Sequence, residues 1–229
     1  MALNLATLKT RSLTAIVFVA VMLVGLLWNF QSFLILFTVI HFGCWYELVK
    51  LMKKIYGNKY LVYCLLGFIY ITLPVLMMMD LSTKWEIHTI DNVNQIIFNN
   101  ILPCGIIFSI WINDTMAYIV GSLIGKTPFS KISPKKTWEG TIGGAILCVV
   151  VISLIAYFSK LILIKDAAII AALCAIFGTL GDLFESKLKR MANVKDSGTI
   201  MPGHGGFLDR FDSLLFAAPA VWVYVKLFM

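Results

Sequence analysis

In the stretch KDSGTIMPGHGGFLDRFD, Lys195 to Asp212, His204 stands among glycines at 203, 205 and 206, and Asp209, Arg210 and Asp212 follow directly. Glycines let a backbone approach a ligand closely and adopt positive φ. Alternating carboxylates and a guanidinium hold a cation and a phosphate side by side, with the guanidinium acting as a two-pronged donor. A solvated turn has no need of that density. The pairing suits transfer between two phosphorylated reactants, which repel each other and develop charge that must be neutralised.

Other stretches carry related chemistry. In GTLGDLFESKLKR, 178–190, a continuing helix puts Asp182, Glu185 and Lys189 on one face. Two hard-oxygen carboxylates so close suit Mg2+, which completes its shell with water and phosphate. The same residues also fit a frayed helix end braced by a Glu185–Lys189 pair. In GKTPFSKISPKKTWEG, 125–140, Pro134 precedes Lys135, Lys136, Thr137 and the start of a glycine-containing helix. A rigid turn of this kind presents ammonium groups and backbone N–H donors together, which suits phosphate. Lys126 and Lys131 read equally well as headgroup contacts, whereas Ser133, Lys135, Lys136, Thr137 and Glu139 exceed what an electrostatic anchor requires. In WINDTMAY, Asn113 and Asp114 interrupt an apolar run. A carboxylate there needs a polar cavity, a cation or a basic partner, so it either ties helices together or belongs to a site.

The elements that position these residues are membrane helices. The chain is 60% hydrophobic and 14% charged, outside the range of soluble domains. Apolar runs at 13–28, 32–49, 60–79, 96–122, 141–158, 164–184 and 213–228 make about seven spans of bilayer length. The expected fold is all-α and polytopic. With the N-terminus in the cytoplasm, the lysines and arginines fall in cytoplasmic segments except for Lys84, Lys160, Lys165 and Lys226, as the positive-inside rule requires. Topology and anionic headgroups thus account for the net charge of +7, and no nucleic-acid partner is needed.

The first span follows LKTRS, but WNFQS stands where a cleavage site would be, so it reads as an uncleaved helix. Cys44, Cys64, Cys104, Cys148 and Cys174 are scattered singly and read as small buried hydrophobes. His41 reads as a hydrogen-bonded structural residue, and 80–94 as a solvated connector. Residues 1–229 are expected to form one integral membrane domain, with ordinary spans in 1–110 and the chemistry in 111–229.

The run S-x-L-K-R-x4-K-D-S-G-x3-P-G-H-G-G-x-L-D-R-x-D, Ser186 to Asp212, resembles the defining pattern of the phosphatidate cytidylyltransferases, or CDP-diacylglycerol synthases. SPKKTWEG, NDTMAYIVG and the LKTR start resemble other stretches of that family, strongly in the C-terminal half and weakly in the N-terminal half. The resemblance implies transfer of a cytidylyl group from CTP to phosphatidic acid, giving CDP-diacylglycerol and pyrophosphate. It implies Mg2+ held by Asp182 and Asp209; Asp114, Glu185 or Asp212 as ligands in their place, and a monovalent cation sharing the centre, stay open. Lys189, Arg190 and Arg210 would join Lys135 and Lys136 in positioning phosphates. Ser133, Thr137, Glu139, Lys195, Asp196, His204, Gly205 and Gly206 would contact substrate. The expected setting is a bacterial inner membrane with the site facing the cytoplasm, among membrane lipids and compatible with a homodimer. Family members often carry more N-terminal spans. A kinase or cytidylyltransferase acting on a polyprenol or another lipid phosphate would use the same features. A transporter fits less well, because the charges cluster at helix ends and no repeat is visible.

Overall fold

A computed structural model of the chain describes residues 5–88, 93–200 and 205–229. It is dominated by helices: α1 (Leu5–Leu27), α2 (Phe30–Tyr56), α3 (Tyr60–Cys64), α4 (Leu73–Leu81), α5 (Ile101–Ile124), α6 (Trp138–Ser159), α7 (Ile164–Met191) and α8 (Leu208–Phe228). Among the described residues, five of the expected spans are helices long and apolar enough to cross a membrane, within Phe30–Cys64, Ile101–Ile124, Trp138–Ser159, Ile164–Met191 and Leu208–Phe228. The protein is an integral membrane protein on that ground.

Two departures from an uninterrupted all-α reading occur. The expected span 60–79 is broken into α3, a π-helical turn at Phe68–Thr72, and α4. Pro74 lacks an N–H and its ring crowds the preceding turn, which accounts for the disturbance just before it. The connector forms an antiparallel ribbon of β1 (Thr83–His88) and β2 (Val93–Phe98), with Thr83 opposite Phe98. Its β-branched and alternating residues favour strand over helix.

The chain divides into two compact units, Met1–Thr72 with Leu188–Phe211, and Leu73–Lys187 with Asp212–Met229. In the first, Asn29 and Ser32 form a reciprocal capping box that starts α2 and turns the chain after α1. Phe33, Leu36, Phe37, Ile40, Cys44, Leu48 and Leu51 recur at helical spacing and are buried along one face of α2. His41 Nε2 and Trp45 Nε1 both lie 3.0 Å from Thr72 Oγ1, giving His41 the hydrogen bond its setting calls for.

In the second unit, α5 and α6 pack almost backbone to backbone. A Cβ added at Gly140 would meet the Ala117 carbonyl at 2.8 Å, and one at Gly144 would meet Ala117 at 2.7 Å. The rows Ala117–Gly121 and Gly140–Gly144 are small residues one turn apart, the pattern by which membrane helices approach without a hydrophobic drive. Cys148, Ile152 and Ala156 of α6 then pack with Ala167 and Ala171 of α7. All five cysteines are free and buried.

Candidate active site

The segment between α5 and α6 is built before it can bind anything. Lys136 N–H donates to the Ser133 carbonyl at 3.1 Å, closing a turn around Pro134, whose fixed φ suits the second position of such turns. Phe129 N–H donates to Lys136 O at 2.8 Å, and Trp138 N–H to Thr127 O at 3.0 Å. The Glu139 carboxylate accepts from the backbone N–H groups of Lys126 and Thr127 at 3.2 Å, bracing the loop base. Thr137 caps α6 by accepting from Gly140 N–H at 3.1 Å. The ammonium groups of Lys135 and Lys136 and the positive end of the α6 dipole are thereby presented together.

A cavity of about 490 Å³ opens against this loop. Helix α5 lines it with Asn113, Asp114, Tyr118 and Ser122, the loop with Ser133, Lys135, Lys136 and Thr137, and α7 with Thr179 and Asp182. The structure therefore brings together Asp114, Ser133, Lys135, Lys136, Thr137 and Asp182, which lie in three separate sequence stretches. Lys136 Nζ forms an ion pair with the Asp182 carboxylate. Asn113 is 4% exposed and directs its amide N–H toward Asp114 Oδ1 at 3.4 Å.

Carboxylates also converge where α7 meets α8. Asp182, Glu185 and Asp212 each offer an oxygen within 4.8 Å of the others'. Gly181 makes this possible, because any side chain there would strike the Asp212 carbonyl. Glu185 is fully buried and Asp212 nearly so. Three hard-oxygen ligands with one partly open side fit a divalent cation that keeps water or phosphate in its shell.

In the other unit, Asp209 is the centre of a dense set of donors. It accepts from Lys189 Nζ at 2.6 Å, Ser197 N–H and Oγ at 2.9 Å, and Gly206 N–H at 2.8 Å. Gly205 takes φ +86°, and a Cβ there would also run into the Asp209 side chain. The loop leaves α7 through Asn193 in the left-handed region, with Val194 N–H bonded to Lys189 O and Asn193 N–H to Arg190 O. That double bond is the Schellman closure, with asparagine in place of the usual glycine. Arg190 Nη1 reaches Val194 O at 3.4 Å. Lys195, Asp196 and Arg210 are exposed. His204 lies outside the described residues.

One residue that sequence reasoning passed over lies beside this loop. Glu47 is 1% exposed on the apolar face of α2. Its carboxylate accepts from Ser197 Oγ at 2.7 Å, Phe207 N–H at 2.9 Å and Leu208 N–H at 2.8 Å. The available signal was a glutamate spaced with Cys44, Leu48 and Leu51 on a membrane helix, where a charge requires a partner.

A family profile described as the cytidylyltransferase family matches residues 76–228. The chain is 36% identical over 221 residues to a phosphatidate cytidylyltransferase of Rickettsia typhi, covering 91% of this chain and 88% of that protein. A protein of the same name from Rickettsia bellii is 34% identical over 98% of this chain and 93% of its own length. The phosphatidate cytidylyltransferase of Bacillus subtilis is 46% identical over 121 residues, 52% of this chain and 45% of that protein.

Proposed function

Because the chain belongs to the cytidylyltransferase family, we propose that it is a phosphatidate cytidylyltransferase, converting CTP and phosphatidic acid to CDP-diacylglycerol and pyrophosphate. The observation that carries this reading is the cavity in which Lys135, Lys136, Ser133 and Thr137 meet Asp182 and Asp114. A phosphate oxygen of phosphatidic acid attacks the α-phosphorus of CTP. The bond to the bridging oxygen breaks, and its electron pair leaves with pyrophosphate. The nucleophile is already an anion, so no general base is required. Lys135 and Lys136 hold the phosphates in reach and neutralise charge gathering on the leaving group. The α6 N-terminus adds fixed positive potential.

Asp182, Glu185 and Asp212 are the residues that would hold Mg2+, which when bound supplies charge neutralisation between the two phosphorylated reactants. The family resemblance gives Asp209 a metal-ligand role, Lys189, Arg190 and Arg210 roles on phosphate, and Lys195, Asp196, His204, Gly205 and Gly206 roles on substrate. We place the site and the N-terminus on the cytoplasmic side of a bacterial inner membrane with about seven crossings, on the lysine and arginine asymmetry.

The test is purified protein in detergent with labelled CTP, phosphatidic acid and Mg2+. Label should pass into the lipid phase with stoichiometric pyrophosphate. Transfer only when phosphatidic acid is replaced by a polyprenyl phosphate would reassign the acceptor. No transfer to any lipid would remove the reading.

A further inference from the structure

The family resemblance puts Lys195, Asp196, Gly205, Gly206 and Asp209 at the substrate, and all of them lie between the end of α7 and the first turn of α8. What fixes this segment is the side chain of Glu47, from a helix some 150 positions earlier in the chain. Its two oxygens face Ser197 Oγ and the backbone N–H groups of Phe207 and Leu208. Leu208 begins α8, so Glu47 serves as a cap supplied from outside the helix, satisfying N–H groups that the helix cannot satisfy itself. Ser197 also points its hydroxyl at Asp209 Oδ2, 2.9 Å away. One hydroxyl proton thus lies between Glu47 and Asp209 and couples them. The glycines alongside are tied to the same group: any side chain at Gly206 or Gly198 would collide with the Glu47 carboxylate. A buried acid is costly unless several donors stabilise it, so a carboxylate here is retained for what it holds in place.

We propose that Glu47 is a positioning residue for cytidylyl transfer: it clamps Ser197 and the start of α8 so that Asp209 and its neighbours keep their reactive placement. This rests on the reaction proposed above. Glutamine at 47 keeps the size but sets an N–H2 group against N–H donors, so Glu47→Gln loses at least one of the three contacts while the apolar packing of α2 stays. A displacement of about 1 Å in a phosphoryl-transfer site lowers turnover by about 100-fold.

The experiment compares wild type, Glu47→Gln, Glu47→Ala, Gly206→Ala and the double variant Glu47→Ala/Gly206→Ala. Each is measured for labelled-CTP transfer per folded molecule, thermal unfolding in detergent, and hydrogen exchange of peptides covering 195–212. Glu47→Gln and Gly206→Ala are each expected to lower kcat about 100-fold, with faster exchange confined to that segment. Adding Gly206→Ala to Glu47→Ala is expected to cost less than about 3-fold beyond Glu47→Ala alone, because the colliding group has gone. An inactive wild type would overturn the reaction and leave exchange to judge the clamp. An active wild type with Glu47→Gln at full kcat and unchanged exchange would overturn the clamp alone. A uniform fall in unfolding temperature with native kcat in the molecules that remain folded would also overturn it, since Glu47 would then be a stability residue only.

Discussion

Asp182 and Asp209 each hold a lysine, Lys136 and Lys189 respectively, and each offers oxygen to the chemistry proposed. Replacing either by asparagine keeps the shape and removes the charge. Asp182→Asn and Asp209→Asn should each lower transfer by about 10²–10³-fold while the detergent-solubilised protein stays folded, judged by circular dichroism alongside the labelled-CTP assay. Lys136→Ala should lower turnover by about 100-fold, whereas Lys53→Ala or Lys54→Ala at the end of α2 should change it less than about 3-fold. Equal effects at all these lysines would mean that positive charge matters only as membrane attraction. At this scale the sequence was readable where chemistry is local. Ser133, Lys135, Lys136 and Thr137 stood out together around Pro134, and all four line the cavity. Asp182 and Glu185 were paired by helix spacing alone, and the structure keeps them together with Asp212. Glu47 could be flagged as a charge in need of a partner, but the partners themselves were not readable, because they lie far along the chain and nothing in WYELVK specifies them.

The helices were legible from apolar runs, whereas the caps that fix their ends, Thr137 and the Asn29–Ser32 pair, came from the structure. The run at 60–79 was legible as apolar but not as broken, because hydropathy registers no backbone geometry: Pro74 and the approach of Gly67 to Trp45 and Leu48 interrupt it. The ribbon of β1 and β2 was also missed, since two short strands carrying several polar residues read as a connector between long apolar runs. The α5–α6 contact yields the prediction at this scale. Gly144→Leu forces the side chain into Ala117 and should lower stability by about 1–3 kcal/mol, read as a drop in unfolding temperature in detergent. It should also lower activity, because α5 and α6 together carry Asp114 and Thr137 to the cavity. A stable, fully active Gly144→Leu would show that the two helices do not need their close approach.

At the scale of the whole molecule, composition decided the class and the charge pattern decided the proposed orientation. Among the described residues, five helices have the length and hydropathy to cross a bilayer, and exposed residues on them, such as Ile35, Leu123, Ile146 and Phe158, are apolar as lipid contact requires. Because all five native cysteines are buried, a cysteine introduced at Ser130 is a clean reporter of sidedness. In intact cells it should resist an impermeant thiol reagent and react only after permeabilisation. Labelling without permeabilisation would invert the proposed topology.

The ion pair between Lys136 and Asp182 has a consequence for the order in which reactants arrive. At rest the Asp182 carboxylate already has a counter-ion, so it gives a divalent cation shared with Glu185 and Asp212 less than its full charge. A triphosphate gives the lysine a competing partner and releases the carboxylate as it binds. Nucleotide and metal should therefore enter as one event, with the Mg2+ needed for half-maximal activity falling as CTP is raised. In Lys136→Ala the carboxylate is exposed from the outset, and that dependence should flatten even though turnover is poor. Mg2+ titrations at several CTP concentrations measure it directly: an equal CTP dependence in wild type and Lys136→Ala would mean that the lysine does not gate the carboxylate.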